Sequence, residues 1–412
     1  EQLISKFKVY CFEPLETPAM ERLEVLSSKF AGGEEILKET FKVSDQGGRE
    51  LGLRYDLTVP LCRFIASNTR MPFPFKRYAV APVWRDGPLK AGRYREFYQC
   101  DVDIVGANGM IADAEILRLA CDAFDILFPR NYVIKVNNRK ILDGILCYSG
   151  VPEGKWQGAI LIIDKLPKIG RDGVARALGA FGITKESSEK ILGTIYNEGP
   201  NTARLEKIAK LLDSKIAMEG ISEISELLKL AENFGCASKI VFDPSLARGL
   251  NYYTSTIFEA YLSKGKIASS IAAGGRYDDL IGRFAGSRER IPAVGISFGL
   301  DVICEALLET GFQAGLEKPG VYVLAVSKDR DSPESIFAIK ASTEFRKAKV
   351  PAYLDLTGRN LAKGLEFASK KGFRFAAIIG EKERKLGKVN LKDLENGAEK
   401  ELTLPEATAL LL

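Results

Sequence analysis

The spacing of apolar residues along the chain changes three times. Between residues 150 and 236, Leu and Ile recur every three or four positions, as in "ISEISELLKLAENFG", which is typical of amphipathic helices. Before and after this segment, alternating runs such as "RYAVAPVWR" favour strands. From residue 316 onwards, strand patterns and helix patterns take turns. We therefore expect four regions: 1–149, a helical insertion at 150–236, a return to mixed structure at 237–315, and a small α/β domain with a largely parallel sheet at 316–412.

Two strand-like runs near residue 90 predict a hairpin. "RYAVAPVWR" and "RYREFYQCDVDIVG" are joined by residues 86–92, which contain Gly87, Pro88 and Gly92. The run "ADAEILRLACDAFDILF" that follows predicts a helix, with Asp113 near its start, where an acid suits the helix dipole. "GRELGLRYDLTV" is interpreted as one strand, and "GLEKPG" as a linker before the last domain.

Composition narrows the class of protein. The chain has 412 residues, of which 46% are hydrophobic and 27% charged, as in globular proteins. No apolar run approaches the roughly 20 residues of a membrane helix, so we expect no membrane association. The seven cysteines are dispersed without a CxxC pair, which favours reduced thiols and a cytoplasmic location. Because the sequence opens on Glu1 rather than Met, we expect that N-terminal residues are missing.

The absence of histidine limits the chemistry. A chain with no histidine cannot build a His-based triad, an imidazole base or a His zinc site. Any catalysis must use carboxylates, arginines, tyrosines or the substrate itself. Of the net charge of +5, residues Val321–Leu412 contribute +4, from 17 basic and 13 acidic residues. Such a segment suits a polyanionic partner, although a solvated lysine-rich surface fits equally well.

The hairpin places cations beside its loop. Alternation puts Arg85 on one face of the first strand. On the second strand it gives one face to residues 93, 95, 97, 99, 101 and 103, which include Arg93, Gln99 and Asp103. If Arg85 and Arg93 point the same way, their guanidinium groups could grip a phosphate in a fork. The alternative is a ladder of surface ion pairs with the nearby acids Asp86, Glu96 and Asp101.

Two further segments carry candidate chemistry. In "LRYDLTV", alternation puts Asp56 and Thr58 on one face, where they could hold an ammonium group; an amphipathic edge strand is the alternative. In "ARGLNYYTS", Arg248 precedes a predicted strand in which Tyr252 shares its face, and tyrosines packed below a strand end are the alternative.

Glycines mark two other places. The pair in "AAGGRYDDL" indicates close approach of a ligand or of another backbone, or a β-bulge. In "GISFGLD", a strand enters a helix through Gly299.

Taken together, these segments resemble the class II aminoacyl-tRNA synthetases, and specifically the histidyl-tRNA synthetase family, over nearly the whole chain. "ETPAME" is similar to the first class II motif, "VWRDGPLKAGRYREFYQCDVDIVG" to the second and "PAVGISFGLD" to the third. "LARGLNYYTSTIFE" and "AAGGRYDDL" resemble the two segments peculiar to the histidyl enzymes. "AAIIGEKERKLGKVNLKDL" resembles the anticodon-binding domain shared with the glycyl, threonyl and prolyl enzymes.

The resemblance implies a fold and a function. The fold would be an α+β class II catalytic domain, an antiparallel sheet with helices, interrupted by a helical insertion that resembles the acceptor-stem clamp and followed by an α/β anticodon-binding domain. The activity would be histidine–tRNA ligation, in which ATP and Mg²⁺ serve to make histidyl-adenylate and the histidine then passes to tRNA(His). The resemblance also implies a homodimer, with Pro18 at the dimer face.

The resemblance assigns roles to particular side chains and names no metal-ligating residue. Arg85 and Arg248 would be the catalytic arginines at the α-phosphate, and Arg85, Arg93 and Gly299 would contact ATP. The histidine substrate would be held by Asp56, Thr58, Gln99, Asp103, Tyr252 and Tyr253.

Three positions depart from the family pattern. Gly87 stands where the family has an acid two residues after the second-motif arginine, and Val302 stands where an arginine usually holds the γ-phosphate. Asn251 replaces the acid of "RGLDYY". Arg290, Arg288 or Arg93 could compensate at the γ-phosphate.

These departures keep an alternative open. A synthetase-like paralogue without ligase activity serves as the regulatory subunit of ATP phosphoribosyltransferase in histidine biosynthesis, and Val302 fits such a protein. The anticodon-like domain and Arg248 favour the ligase. "RGLNYYT" disfavours a glycyl- or prolyl-type enzyme.

Overall fold

A computed structural model describes residues 1–27, 38–68, 70–88, 94–249, 252–287, 289–310, 320–327, 329 and 331–412. The chain forms two compact units, residues 1–311 and 312–412. Each unit has its own hydrophobic core. The linker predicted in "GLEKPG" lies almost entirely outside the described residues.

The strands of the described residues are numbered here in chain order. They are β1 Glu13–Pro14, β2 Met20–Arg22, β3 Lys42–Ser44, β4 Glu50–Leu53, β5 Phe75–Trp84, β6 Glu96–Val105, β7 Tyr132–Asn138, β8 Ile240–Phe242, β9 Thr256–Leu262, β10 Ala272–Arg276, β11 Ala293–Gly299, β12 Val321–Ala325, β13 Ala352–Leu354, β14 Phe375–Ile379, β15 Lys388–Asp393 and β16 Glu399–Thr403.

Eight of these strands form the main sheet of the first unit, in the order β1-β5-β6-β11-β10-β9-β7-β8. All pairs from β5 to β7 are antiparallel, and only the two edge pairs are parallel. A small second sheet has the order β2-β4-β3. The antiparallel centre of the main sheet confirms the predicted α+β fold.

Helices of the first unit flank the main sheet and fill the predicted insertion. Their bounds are Gln2–Val9, Leu23–Ser27, Thr58–Ser67, Ile111–Leu127, Arg139–Tyr148, Trp156–Ile163, Leu166–Ala180, Lys185–Ile195, Asn201–Leu211, Lys215–Asn233, Leu280–Phe284 and Leu300–Glu309. Short 3₁₀ turns lie at Glu153–Lys155 and Ala237–Lys239. In the part of the chain that the structure describes, no helix combines the length and apolar character needed to span a membrane.

The hairpin of β5 and β6 agrees with its prediction. Each strand has ten residues, and the register pairs Arg77 with Asp103 and Ala81 with Gln99. From Gln99 onwards β6 is buried on both faces, because other strands flank it in the sheet and side chains cover both of its faces. Arg93 lies outside the described residues, so its predicted alignment with Arg85 stays a prediction.

Two strand predictions were wrong at their ends. The strand in "GRELGLRYDLTV" stops at Leu53, and a helix begins at Thr58. The cause is a helix-start signal: Asp56 accepts a hydrogen bond from the Val59 amide at 2.9 Å, and Pro60 is tolerated in the first turn. Likewise β9 begins only at Thr256. Arg248 and Tyr252 therefore lie in a loop rather than on one face of a strand.

Asp113 lies in the first turn of the helix Ile111–Leu127, as predicted. Its side chain is fully buried and forms an ion pair with Arg276. Arg276 donates a second bond to the Gly109 carbonyl at 2.8 Å. The pair fixes the end of β10, next to the site described below.

The second unit alternates strands and helices as predicted. Its sheet has the order β13-β12-β14-β15-β16, in which β13, β12 and β14 are parallel and the last two strands are antiparallel. The expected largely parallel sheet is thus a mixed one. Its helices are Pro333–Lys347, Leu361–Lys370, Glu381–Leu386 and Leu404–Leu411. Ser332 caps the first of these by accepting from the Ser335 amide at 3.2 Å.

Candidate active site

A cavity opens over the middle of the main sheet. Its floor is formed by β6, β10 and β11, and its walls are formed by the segment before the helix Thr58–Ser67 and by the loop after β8. The lining residues are Asp56, Thr58, Arg85, Gln99, Asp101, Asp103, Arg248, Tyr252, Tyr253, Ala273, Gly274, Gly275, Tyr277, Gly295, Ile296 and Ser297. Segments almost 250 residues apart in sequence thus meet at one place.

Eight residues singled out from the sequence line this cavity together. They are Asp56, Thr58, Arg85, Gln99, Asp103, Arg248, Tyr252 and Tyr253. Gly299 does not line it: it ends β11 opposite Gln99, just before the helix Leu300–Glu309. Arg93 lies outside the described residues.

The guanidinium group of Arg85 packs over two aromatic rings at one side of the cavity. Its guanidinium carbon lies 4.1 Å from the centre of the Tyr55 ring and 4.8 Å from that of Phe97. Its Nε also lies 3.4 Å from the Tyr55 carbonyl oxygen. Aromatic faces fix the plane of a guanidinium by cation–π attraction. The orientation of Arg85 is therefore set before any ligand binds.

Arg248 approaches the same cavity from the opposite wall. Its Nη1 donates to Glu259 Oε1 at 2.5 Å, and its guanidinium lies 5.7 Å from the centre of the Tyr253 ring. The Tyr261 hydroxyl donates to the other oxygen of Glu259. Since a guanidinium has five N–H groups, this ion pair leaves donors for a ligand. Gly249 packs against the insertion, where an added Cβ would lie 3.3 Å from Leu161.

Asp103 is a fully satisfied buried acid. Arg77, itself 0% exposed, donates to one carboxylate oxygen at 2.8 Å, and the Tyr277 hydroxyl donates to the other at 2.5 Å. Burial raises the pKa of Asp103, although Arg77 and Tyr277 oppose the change. This cluster ties β5, β6 and the end of β10 together beneath the cavity.

Asp56 and Asp101 are buried acids that each have one carboxylate oxygen without a hydrogen-bond partner among the described residues. Asp56 Oδ1 accepts from Val59, but Oδ2 has no hydrogen-bond partner among the described residues. Asp101 Oδ1 likewise has none. Burial, followed by the charge of Asp103, raises the pKa of Asp101 to about 7. Burial also raises the pKa of Asp56, against the Val59 hydrogen bond and the charge of Arg85.

The floor of the cavity requires glycine. An added Cβ on Gly274 would lie 2.1 Å from the Gly295 carbonyl oxygen, and one on Gly275 would lie 2.4 Å from the Thr256 carbonyl oxygen. On Gly295, the Cβ would lie 2.1 Å from Asp103 Oδ1. The glycines predicted in "AAGGRYDDL" are therefore needed for close backbone packing below a cavity.

Three tyrosines form an aromatic corner of the cavity. The rings of Tyr252 and Tyr253 lie 4.8 Å apart, and those of Tyr252 and Tyr277 lie 6.0 Å apart, both edge to face. Burial raises the pKa of all three hydroxyls, so they are protonated donors at neutral pH. Both Tyr252 and Tyr253 face the cavity because a loop, unlike a strand, can turn consecutive side chains the same way.

Several lining residues were missed by sequence reasoning. Tyr277 and Ser297 carried no signal of their own, although Tyr277 lies within "GGRYD". Asp101 did carry one, because strand alternation puts it between Gln99 and Asp103 on the same face, yet it was weighed only as a surface ion-pair partner. One surface ion pair of the kind expected in that alternative is present: the half-exposed side chain of Arg95 lies 3.7 Å from Asp86.

Of the cations suggested as substitutes at the γ-phosphate, Arg290 does not line the cavity and forms an ion pair with Asp279 at 2.9 Å. Arg288 and Arg93 lie outside the described residues. Val302 packs against the hydrophobic core. Among the described residues, no group of three or more acids and cysteines is arranged to hold a metal ion.

Comparison with known proteins finds matches over the whole chain. The family model described as "Histidyl-tRNA synthetase" matches residues 1–303, and "Anticodon binding domain" matches residues 320–412. "Histidine--tRNA ligase 1" of Bacillus cereus is 37% identical over 398 residues, which cover 97% of this chain and 91% of the relative.

Solved structures are similar as well. The histidyl-tRNA synthetase of Nostoc sp. PCC 7120 superimposes with a TM-score of 0.84 at 32% identity, covering 99% of this chain and 93% of that one. A protein from Bacillus halodurans titled "ATP phosphoribosyltransferase regulatory subunit/histidyl-tRNA synthetase" gives 0.74 at 20% identity, with 92% of both chains covered. At that identity the second likeness shows the fold alone.

Proposed function

Because the chain belongs to the histidyl-tRNA synthetase family and is a histidine–tRNA ligase, we propose that the cavity described above is where it activates histidine. The observation that carries the proposal is the convergence of two arginines and three acids on one cavity. Arg85 and Arg248 supply positive charge for a phosphate and a carboxylate, while the acids supply acceptors for an ammonium group. A zwitterionic amino acid next to a triphosphate needs both.

The first step requires no base from the protein. An oxygen of the histidine carboxylate, already ionised, attacks the α-phosphorus of ATP, a new P–O bond forms, and the bond to pyrophosphate breaks. Catalysis then consists of alignment and charge stabilisation. Arg85 and Arg248 are placed to stabilise the negative charge that grows on the α-phosphate. We write Mg²⁺ as part of the MgATP substrate.

The histidine substrate is proposed to bind deep in the cavity. Asp56, Thr58 and Gln99 face the place of its ammonium group, and the tyrosine pair Tyr252 and Tyr253 encloses its imidazole ring. Asp103 is held by Arg77 and Tyr277 and orients this end of the site. Arg93 and Gly299 remain proposed contacts for ATP.

In the second step, a terminal ribose hydroxyl of tRNA(His) attacks the carbonyl carbon of the adenylate, and AMP leaves. We propose that the loop at residues 86–92 and the helical insertion at 150–236 contact the acceptor end. The packing of Gly249 against Leu161 supports a link between the insertion and the loop of Arg248. The second unit is proposed to bind the anticodon.

A homodimer in the cytoplasm is part of this proposal. Pro18, in the first motif, and Met20, with 52% of its surface exposed, lie on an open face of the first unit that suits a subunit contact. All seven cysteines are unpaired, as in a reducing compartment. A purely monomeric species in sedimentation at micromolar concentration would contradict the dimer.

Histidine-dependent exchange of labelled pyrophosphate into ATP tests the proposed function directly. Exchange that is lost in Arg248→Ala supports activation in this cavity. If the unmodified protein exchanges no pyrophosphate while it binds and stimulates an ATP phosphoribosyltransferase, the regulatory alternative is correct. Val302 is the observation that favours this alternative, because the chain lacks the usual arginine at that position.

A further inference from the structure

The backbone that leads to Arg248 is fastened to the sheet, but this alone does not place the guanidinium group. Asn137 on β7, which is fully buried, donates from its side chain to the carbonyl oxygens of Pro244 at 3.1 Å and Leu246 at 2.8 Å. A long side chain keeps much of its rotamer freedom when only the backbone near it is fixed. The charged end of Arg248 therefore needs a contact of its own.

Glu259 supplies that contact from outside the cavity. It lies on β9, where its register partner on β10 is Ala273, a residue that lines the cavity. Glu259 itself does not line the cavity, and its Oε1 accepts from Arg248 Nη1 at 2.5 Å. The carboxylate is thus placed to hold the guanidinium group from behind, away from the space that a ligand would occupy.

The carboxylate of Glu259 is itself held in place. Tyr261 lies two residues further along β9, on the same face, and donates its hydroxyl to Glu259 Oε2. Burial, followed by the charge of Glu259, raises the pKa of Tyr261, so this hydroxyl is a protonated donor at neutral pH. Since both oxygens of Glu259 are bonded, the orientation of the carboxylate is fixed, and with it that of the arginine that it holds.

The pairing of charges around Glu259 favours this role over a purely structural one. Its register partner on β7 is Lys135, an opposite charge directly across the strand pair. Lys135 forms its ion pair with Asp243 instead, at 2.7 Å, where the chain leaves β8 towards Arg248. The charge of Glu259 is thereby left for Arg248, and their side chains are only 14% and 17% exposed.

We propose that Glu259, supported by Tyr261, is a positioning residue that holds the guanidinium group of Arg248 in the orientation needed at the α-phosphate. Glu259 takes one N–H group of Arg248, which fixes the plane of the guanidinium and the directions of its remaining donors. Glu259 neither contacts the substrate nor exchanges a proton. This inference rests on the proposed function and adds to it a residue outside the cavity.

Glu259→Gln tests the proposal because it keeps the shape of the side chain and removes its charge. We expect kcat for pyrophosphate exchange to fall about 10- to 100-fold and the KM for ATP to stay within about threefold, since a displacement of about 1 Å at a reacting group can cost a factor of that size in rate. An unchanged kcat would overturn the proposal.

Glu334→Gln is the matched control. Glu334 also forms an ion pair with an arginine, Arg384 at 2.8 Å, and its side chain is likewise 14% exposed. Because it lies in the second unit, kcat for pyrophosphate exchange should stay within about twofold, as expected for a distant site. Equal losses of kcat in Glu259→Gln and Glu334→Gln would contradict a role specific to Arg248.

A cycle with Arg248→Lys separates positioning from a structural role. Lysine has no planar fork for Glu259 to orient, so adding Glu259→Gln to Arg248→Lys should lower kcat by no more than a further factor of about two. If Glu259 stabilised β9 independently of Arg248, the two losses would multiply, as they do for independent sites. Losses that multiply would overturn the proposal.

Tyr261→Phe provides a second test if Glu259→Gln does not fold. It leaves the ion pair intact and removes only the donor to Glu259 Oε2, so we expect a smaller fall in kcat, about 3- to 10-fold. This fall should also disappear in the Arg248→Lys protein. Failure of both variants to fold contradicts the proposal, because the proposal requires Glu259 and Tyr261 to be dispensable for folding.

Crystal structures distinguish this inference from a failure of the proposed function. If the unmodified protein does not exchange pyrophosphate, the proposed function fails. Structures of the unmodified protein and of Glu259→Gln then still decide the role of Glu259. A displaced guanidinium group of Arg248 in the variant supports the inference, and a guanidinium group in the same place overturns it.

Discussion

At the scale of single residues, the candidate site is defined by which charges are paired. Arg77 neutralises Asp103, and Glu259 neutralises Arg248 in part. Arg85 is oriented by the aromatic rings of Tyr55 and Phe97. One cavity is therefore lined by two oriented cations and by two acids with unpartnered oxygens, an arrangement that costs stability and favours a zwitterionic ligand.

The geometry of Arg248 leads to a first prediction. In Arg248→Lys the charge is kept but the planar fork is lost, so one group can no longer contact Glu259 and a ligand oxygen together. We expect kcat for pyrophosphate exchange to fall about 100-fold or more, the range for loss of a transition-state donor. Arg95→Lys, on the half-exposed pair with Asp86, should retain kcat within about twofold. Equal effects of the two changes would contradict the role of Arg248.

The raised pKa of Asp101 leads to a second prediction. Its pKa is about 7 in the folded protein and about 4 in an unfolded chain. Stability from the protonated acid is therefore full below about pH 4 and is lost as the pH rises through 7. We expect the free energy of unfolding of Asp101→Asn to exceed that of the unmodified protein by more at pH 8 than at pH 5, because the loss begins above about pH 4 and is complete only above pH 7.

Urea unfolding of both proteins at the two pH values measures this difference. The neighbouring charges of Asp103, Arg77, Asp56 and Arg54 are present in both proteins, so the comparison isolates Asp101. A less stable Asp101→Asn protein at pH 8 would mean that the acid has a stabilising partner after all.

At the scale of secondary structure, the glycines of β10 and β11 decide how closely the strands and the tyrosine loop approach. Gly275→Ala would place a Cβ 2.4 Å from the Thr256 carbonyl oxygen and 2.8 Å from the Tyr253 ring. We expect a loss of about 1–3 kcal/mol in the free energy of unfolding, with a raised KM for histidine because Tyr253 is displaced.

A helix glycine provides the control for that change. Gly193 is exposed within the helix Lys185–Ile195, and nothing lies within 4 Å of an added Cβ. Gly193→Ala should leave the KM unchanged and stabilise the protein by up to about 1 kcal/mol. Denaturant unfolding together with pyrophosphate exchange measures both variants, and a stable, fully active Gly275→Ala protein would contradict the packing argument.

At the scale of the whole molecule, the two units have separate cores. In the second unit, Val321, Phe345 and Ile379 belong to one core, and among the described residues the main core of the first unit has no member from beyond 311. We expect a fragment of residues 312–412 to unfold cooperatively on its own, as followed by circular dichroism. A fragment of residues 1–311 should retain pyrophosphate exchange within about tenfold and lose most charging of tRNA(His), because activation uses only the cavity in the first unit.

The sequence by itself determined most elements of this protein, because helix and strand periodicities are local properties. It predicted the hairpin, the helical insertion, the alternating second unit and eight of the residues that line the cavity. The order of the motifs along the chain supported the family resemblance where a single segment was ambiguous, as with the segment that contains Arg248. Asp101 could have been found in the same way, since alternation on β6 places it beside Gln99.

Only the tertiary structure decided what depends on residues distant in sequence. Strand parity could not place Tyr253, because β9 begins only at Thr256 and the described residues before it, Tyr252–Ser255, are not part of a strand. Tyr253 packs instead against Gly275 of β10. Burial of Asp113 depends on Arg276, 163 positions away. Asp103 is paired because Arg77 and Tyr277, which are distant from it in sequence, both donate to its carboxylate. Those contacts join strands and loops that no local pattern connects.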